Sequence, residues 1–406
     1  MAKKDVKTLL KKDVKTPLKK GKAQFMLIGE AKLSEYTFAI NKESDKSDWI
    51  YNTMNLGIDC GNGNVVYADM WGGYGAERDN VIYVHGVKEN DNGKTIDDWD
   101  NRFEIAWEDR FDEDVLETVG DSCFIKVGIE KDTQDKYFIK KFLSAYDAIE
   151  YIQQHIENEM VLNVKGNLKY QLYNDNISVK KEINSIFLSK AKQEDYKAVF
   201  TQTLLIDGNA IGKPDKEKAV FPISAYVIDY VGKYDGQEIK KNVAFMKTFE
   251  LEIDKQKPDN TKKFIKKMLT PKKKGELVEI TVEGEIIEGA SLVNVTLDDI
   301  PEDIKELIEL NILTEEEAIA RCAVGGNREK RMIIKKPAII YIGEDEDRKP
   351  TISRDYNKYK ESDLVFLGQL IDENEDDDVP FDTEDSENDN NEDYEIDFMK
   401  LLDEED

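Results

Sequence analysis

Two stretches of the chain, one opening at Phe25 and one at Met160, are series of short β-favouring runs cut apart by Gly, Asn and Asp, without regular alternation of strand and helix. Such runs bury one face each and pair with near neighbours, which favours small β-barrels over a parallel α/β sheet. In the first stretch the runs cover 24–29, 35–40, 49–51 and 54–58. Gly61-Asn62-Gly63-Asn64 then separates Leu56-Gly57-Ile58-Asp59-Cys60 from Val65-Val66-Tyr67-Ala68-Asp69-Met70. Gly and Asn tolerate positive φ, so this string predicts a hairpin. Runs at 81–84, 103–107 and 124–129 complete the unit, and Phe142, Ala145, Ile149, Ile152 and Ile156 at helical spacing predict a helix over 139–159.

The second stretch opens with runs at 160–170 and 179–189 and continues at 198–206, 220–230 and 243–253. From Val278 to Ile287 polar and apolar residues mostly alternate, as in a half-buried strand. Asp298-Asp299 before Pro301, and Thr314 with Glu317 as a capping box, predict a helical insert over 299–322, and 332–341 is a final strand. The expected fold is therefore mainly β with helical inserts. Its expected parts are a basic disordered arm (1–22), a first β domain ending in a helix (23–159), a second (160–370) and an acidic disordered tail (371–406).

A length of 406 residues suffices for two such domains. The net charge of −28 is unevenly spread. Residues 1–22 carry nine Lys against two Asp and repeat Lys-Lys-Asp-Val-Lys-Thr from Lys3 and from Lys11, which suits an arm that touches phosphates or folds back on the tail. Residues 371–406 carry nineteen Asp and Glu against one Lys, a composition that cannot build a core. The body between is itself acidic, which argues against extensive non-specific duplex binding but leaves room for a local basic groove. Cys60, Cys123 and Cys322 form no CxxC pattern, so neither a zinc site nor a disulfide framework is expected, and a reduced cytoplasm is the natural setting. No apolar run has the length of a membrane span. Only His85 and His155 titrate near neutrality, no nucleophile motif surrounds them, and Gly61-Asn62-Gly63-Asn64 lacks the Lys of a phosphate loop, so neither catalysis nor a metal or cofactor is expected.

Within the tail stands Asp376-Asp377-Asp378-Val379-Pro380-Phe381, carboxylates followed by a small apolar foothold. It resembles the Asp-Asp-Asp-Ile-Pro-Phe tip of bacterial and phage single-stranded DNA-binding proteins, and the chain is suspected to be a phage member of that group. The resemblance implies OB-fold barrels, single-stranded DNA as ligand, recruitment of replication, recombination and repair proteins by the tail, and competition of the tail with DNA. Phe25-Met26-Leu27-Ile28-Gly29-Glu30 looks like the first strand of such a barrel, and Leu162-Asn163-Val164-Lys165-Gly166-Asn167-Leu168 like the same strand in a second copy. Unlike the usual tip, Phe381 is followed by 25 residues, ending in a second amphipathic segment that starts Tyr394-Glu395-Ile396-Asp397-Phe398.

A single-strand binder needs aromatic faces for bases and cations for phosphates. Trp49, Tyr51, Tyr67, Trp71 and Tyr74 crowd one hairpin, and the glycines of Trp71-Gly72-Gly73-Tyr74 make Trp71 and Tyr74 the preferred stacking pair. Trp49, Tyr51 and Tyr67 also suit a strand core. Further candidates are Lys165, Lys169, Tyr170, Tyr173, Lys180 and Lys181, and a Lys stripe at Lys262, Lys263, Lys266 and Lys267. A second basic patch is Arg328, Lys330, Arg331, Lys335 and Lys336. The alternative is a virion structural or assembly protein that uses its β domains and charged ends without nucleic acid.

Overall fold

The computed structural model describes residues 16–131, 136–173, 176–216, 218–234, 237–254, 256–290, 328–342 and 348–367, with isolated positions between 300 and 315. The tail, nearly all of the repeat of the arm and most of the expected helical insert, with Glu317 of its capping box, lie outside them.

The first barrel is built from β1 (Ala23–Lys32), the short β2 (Phe38–Glu43), β3 (Trp49–Asp59) and β4 (Val65–Gly75). An inserted hairpin, β5 (Val81–Glu89) with β6 (Thr95–Ala106), forms its own two-stranded sheet. After α1 (Glu113–Glu117) come β7 (Ile125–Lys131), β8 (Tyr137–Phe142), α2 (Ala145–His155), β9 (Val161–Tyr173) and β10 (Asn176–Leu188). β1 pairs with both β3 and β9, β3 with β4, β9 with β10, and β10 with β4. The five-stranded ring is thus closed, and only the β4/β10 pair is parallel. The turn at Gly61, Asn62 and Gly63 has φ of 86°, 54° and 70°, as its sequence requires.

The second barrel repeats this plan with β11 (Lys197–Ile206), β12 (Val220–Tyr234), β13 (Gln237–Glu252), α3 (Pro258–Phe264), β14 (Val278–Ala290) and β15 (Arg328–Pro337). β11 pairs with β12 and β14, β12 with β13, β14 with β15, and only β13/β15 is parallel. A five-stranded Greek-key barrel with a helix between its third and fourth strands is the OB-fold, and the chain carries two in tandem.

The two first strands pair antiparallel, Phe25 opposite Phe200, so both rings belong to one sheet of 14 strands. Each Phe also faces a glycine of its own fourth strand, Gly166 and Gly284. A Cβ on Gly166 would lie 2.0 Å from the Glu182 carbonyl oxygen and 2.7 Å from the Phe25 ring, and one on Gly284 would lie 2.1 Å from the Ile333 carbonyl oxygen and 2.5 Å from the Phe200 ring. These glycines let the aromatic ring pass under the neighbouring strand.

Three sequence expectations change. The run 162–168 is the fourth strand of the first barrel, because it pairs with β1; the second copy begins at β11, and a boundary at 159/160 would cut the first ring. The helix expected from 139 begins at Ala145, where the Ser144 hydroxyl accepts from the Tyr146 N–H at 3.1 Å, because Tyr137–Phe142 is drawn into pairing with β7. Residues 16–22 also belong to the folded body rather than to a free arm. Leu18 is buried with Leu205, Ile228, Leu277, Tyr359 and Leu364, and the Asn242 amide donates to its carbonyl at 2.8 Å.

Replacing Gly166 or Gly284 by Ala should each cost about 1–3 kcal/mol of stability, since the added methyl meets backbone that cannot yield. Chemical denaturation of the two variants, compared with a Gly232→Ala control whose Cβ would come no nearer than 3.8 Å to another atom, checks this.

Candidate nucleic-acid interface

In OB-folds the outer face of strands two and three, with the loops at its ends, takes oligonucleotides. The two barrels differ there. Over β12 and β13 the chain covers its own face: the Ala244 N–H donates to the Val365 carbonyl at 2.8 Å, Phe366 packs edge-on against Tyr226, and Tyr359 and Leu364 are buried with Ile228 and Ala244.

Over β3 and β4 the face is open. Alternation sends Val66, Ala68 and Met70 into the barrel and Tyr67, Asp69 and Trp71 out. Trp71 is 59% exposed and stacks on Trp49 with centroids 5.8 Å apart and planes 26° apart. The Arg78 guanidinium, held by Asp48, lies 5.8 Å from the Trp49 ring. The Glu77 backbone N–H, and after it Arg78, donate to the Asp48 carboxylate and keep it below the usual carboxylate range. Tyr51 stands opposite Gly73 on the same face.

Trp71 forms one wall of a cleft of about 470 Å³ between the barrels. The other walls are Lys169 and Lys180 from the β9–β10 hairpin, and Tyr230, Lys233 and Tyr234 from the end of β12. Lys169 and Lys180 are direct cross-strand partners, both exposed. Like charges so placed repel and destabilise a sheet. Glu182 lies 3.8 Å from Lys169 and offsets part of this repulsion; a phosphate between the two would remove it.

The cleft floor is fixed by Asp229, which is 2% exposed. It accepts from the Lys20 ammonium at 2.5 Å, the Tyr170 N–H at 2.9 Å and the Tyr230 N–H at 2.8 Å, tying arm, first barrel and second barrel together.

Of the residues singled out in the sequence, Trp49, Tyr51, Trp71, Lys169 and Lys180 come together on this face or in its cleft. Others are diverted. Tyr74, three residues from Trp71, faces the opposite way and packs on Trp107 and Tyr146 at 5.2 and 5.3 Å. Gly72 and Gly73 serve packing rather than base approach: a Cβ on Gly72 would lie 2.7 Å from the Tyr146 nitrogen, and one on Gly73 2.2 Å from the Ile50 carbonyl oxygen. Tyr170 is buried with its hydroxyl donating to the Gln202 side chain at 3.0 Å, and burial pushes its pKa up. Lys181 is 5% exposed and paired with Glu288 at 2.6 Å across the barrel junction. Lys165 is exposed at a separate hollow over the β1/β11 seam. Tyr173 ends β9, and its side chain lies outside the described residues.

Lys262, Lys263, Lys266 and Lys267 sit on α3 and the π-turn that follows it, whose Thr261, Ile265 and Leu269 are buried. None of these lysines lines the cleft. The second basic patch is largely neutralised, with Arg331 on Glu250, Lys335 on Glu252 and Glu285, and Lys336 on Glu283.

Tyr230, Lys233 and Tyr234 were missed by the sequence reading. The string Tyr230-Val231-Gly232-Lys233-Tyr234 carries the aromatic and cation signal, but only the barrel junction brings it opposite Trp71. Tyr67, 40% exposed, belongs to the open face rather than the core. The fold also assembles a group no motif announced: His85 Nδ1 is 3.2 Å from Cys123 Sγ, His85 Nε2 is 3.3 Å from Asp97, and Trp99 stacks on the ring at 4.0 Å. Burial raises the Cys123 pKa, so its thiol stays protonated and the group serves to fasten the β5–β6 hairpin.

The family profile described as YorF matches residues 122–305, less than half of the chain. No curated protein matches. Among solved structures the chain is similar to a deletion variant of the single-stranded DNA binding protein from Thermus aquaticus, at 9% identity and a TM-score of 0.27, covering 66% of this chain and 88% of that one. The wild-type form of that protein gives 8%, 0.26, 66% and 87%.

Lys181→Ala should lower stability by about 1–3 kcal/mol by removing the buried ammonium that pairs with the half-buried Glu288 carboxylate. Lys180→Ala should leave stability unchanged or slightly raised, because it relieves the pair with Lys169. Thermal melts of the two variants separate the structural lysine from the surface one.

Proposed function

We propose that the protein binds single-stranded DNA without sequence preference, coating it during replication, recombination or repair. Supporting this is one arrangement above all: an exposed Trp stacked on a second Trp, on the outer face of strands two and three of an OB barrel, beside a cross-strand Lys pair that Glu182 offsets only in part. Bases stack on Trp71 and Tyr230, with Trp49 and Tyr51 backing the face, and phosphates meet Lys169, Lys180 and Lys233. Stacking tolerates any base because every base has a π-face, and a strand already unpaired presents its faces at no cost in base pairing. The second barrel contributes a cleft wall and positions the first.

The Asp376-Asp377-Asp378-Val379-Pro380-Phe381 string supports a tail that recruits partner proteins and competes with DNA for the cleft lysines. Leu367, the last described residue before the tail, lines the same cleft as Lys169 and Lys180, which supports the competition.

Titration with a fluorescent oligo-dT at two salt concentrations, against duplex of equal length, tests the reading. Trp71→Ala should weaken oligo-dT binding by about 1–3 kcal/mol, roughly 5- to 150-fold. Lys180→Ala should reduce the salt slope by about 0.7. Equal weak binding of both nucleic acids, unchanged by Trp71→Ala, would return the protein to the assembly class.

A further inference from the structure

We propose that the free edge of β8 is a strand-addition site occupied by residues 394–399 of the same chain. The inference does not depend on the nucleic-acid reading. β8 ends the large sheet and, among the described residues, pairs only with β7. Its outer edge therefore offers backbone N–H and C=O groups to an added strand. Tyr137, Phe138 and Ile139 are consecutive and 39%, 50% and 52% exposed, so apolar side chains stand out on both faces of this edge. An edge strand left to water is normally charged or interrupted, and on β8 only its second half, at Lys140 and Lys141, is so guarded.

The surroundings specify the partner's charge. Lys131 and Lys190 lie 5.7 and 5.9 Å from the Tyr137 ring centroid, Lys140 lies over the Tyr151 ring at 4.1 Å, and Lys141 is 5.2 Å from the Phe124 ring. Among the described residues, Asp121, shared by Lys126 and Lys141, and Glu130, bonded to Tyr151, are the opposing carboxylates. The strip is thus net basic on an acidic body and calls for an extended acidic peptide with apolar residues at every second position.

The chain contains that pattern in Tyr394-Glu395-Ile396-Asp397-Phe398. In a strand, Tyr394, Ile396 and Phe398 share one face and Glu395 and Asp397 the other. The apolar face would continue the surface of Tyr137 and Ile139, where Ile139 already borders Gly128 beside Phe187. The carboxylates would fall on the side of Lys140.

Reach allows docking within one chain. Leu367 borders Ile177 at the start of β10, and β7 pairs with β10 at Phe187, ten residues or about 33 Å further along. Two strand spacings add about 10 Å sideways. The 26 residues 368–393 can extend to roughly 85 Å. Tethering then gives an effective concentration in the millimolar range, which favours the chain's own segment over another copy's.

The test is photo-crosslinking of the full-length protein with p-benzoylphenylalanine in place of Phe398, at low protein concentration. The expected product is a monomer cross-linked to residues 137–141, with its yield reduced at least tenfold by Ile396→Asp, which leaves the folded body untouched, and by Ile139→Asp with an unchanged melting temperature. Cross-links elsewhere, between two copies, or none at all overturn the proposal. Loss of oligo-dT affinity in Ile139→Asp without cross-links at β8 would overturn it in favour of a nucleic-acid surface.

Discussion

The antiparallel pairing of β1 with β11 is the contact on which the rest of the molecule depends. It makes one sheet of two barrels, and its register puts Phe25 opposite Phe200, so the two halves are related by a near two-fold at that point. Everything between the barrels follows from this seam. The β3–β4 turn reaches β14, where Asn64 accepts from the Glu288 N–H and donates to the Ile286 carbonyl, both at 2.8 Å. Lys181 and Glu288 close the same junction from the β10 side. A buried ion pair adds little net stability over an apolar pair, but it penalises any slip that would separate its partners. The seam supplies the energy, and the polar contacts supply the register.

The near two-fold does not extend to the outer faces of the barrels. In the first barrel the outer face of strands two and three carries exposed aromatics; in the second it carries Ile228 and Ala244 beneath Tyr359, Leu364 and Val365. An apolar face buried by the chain's own ends stabilises the second barrel, and a barrel so consumed is a rigid neighbour for the first. Asp229 shows what that neighbour does. Its carboxylate holds the Tyr230 and Tyr170 backbones and the Lys20 ammonium at once, so the aromatic lip of the second barrel is set against the cation hairpin of the first.

Much of the fold was legible because short strands with turn residues between them allow few packings. The Gly61-Asn62-Gly63-Asn64 hairpin could be read from backbone chemistry alone. The division of the chain could not, because a barrel's fourth and first strands carry the same pattern of alternate burial, and only long-range pairing tells the run at 162–168 from the run at 197–206. The same limit governs the site. Trp71 and Tyr74 look equivalent in a Gly-rich string, yet a separation of three residues sends them to opposite faces. Lys180 and Lys181 are adjacent, and alternation exposes one and buries the other. Tyr230 and Lys233 lie some 160 residues from Trp71 and meet it only through the seam.

Binding a polyanion, as proposed, would require an acidic chain to concentrate its cations, and the cleft shows how geometry does so. In the second barrel several cations are spent locally: Arg331, Lys335, Lys336 and Lys358 each sit on carboxylates of neighbouring strands. Lys169 and Lys180 instead face each other, with a single exposed Glu182 beside them. At surface dielectric a unit-charge pair a few ångströms apart costs or yields about 1–4 kcal/mol, and the repulsion is screened at physiological salt. A phosphate placed between the two lysines converts repulsion into two attractions, so the ligand draws energy from a strain the folded protein already holds. Under the proposed function the acidic tail would draw on the same source, so polymer anion and peptide anion would compete for this hairpin and not for the neutralised patches.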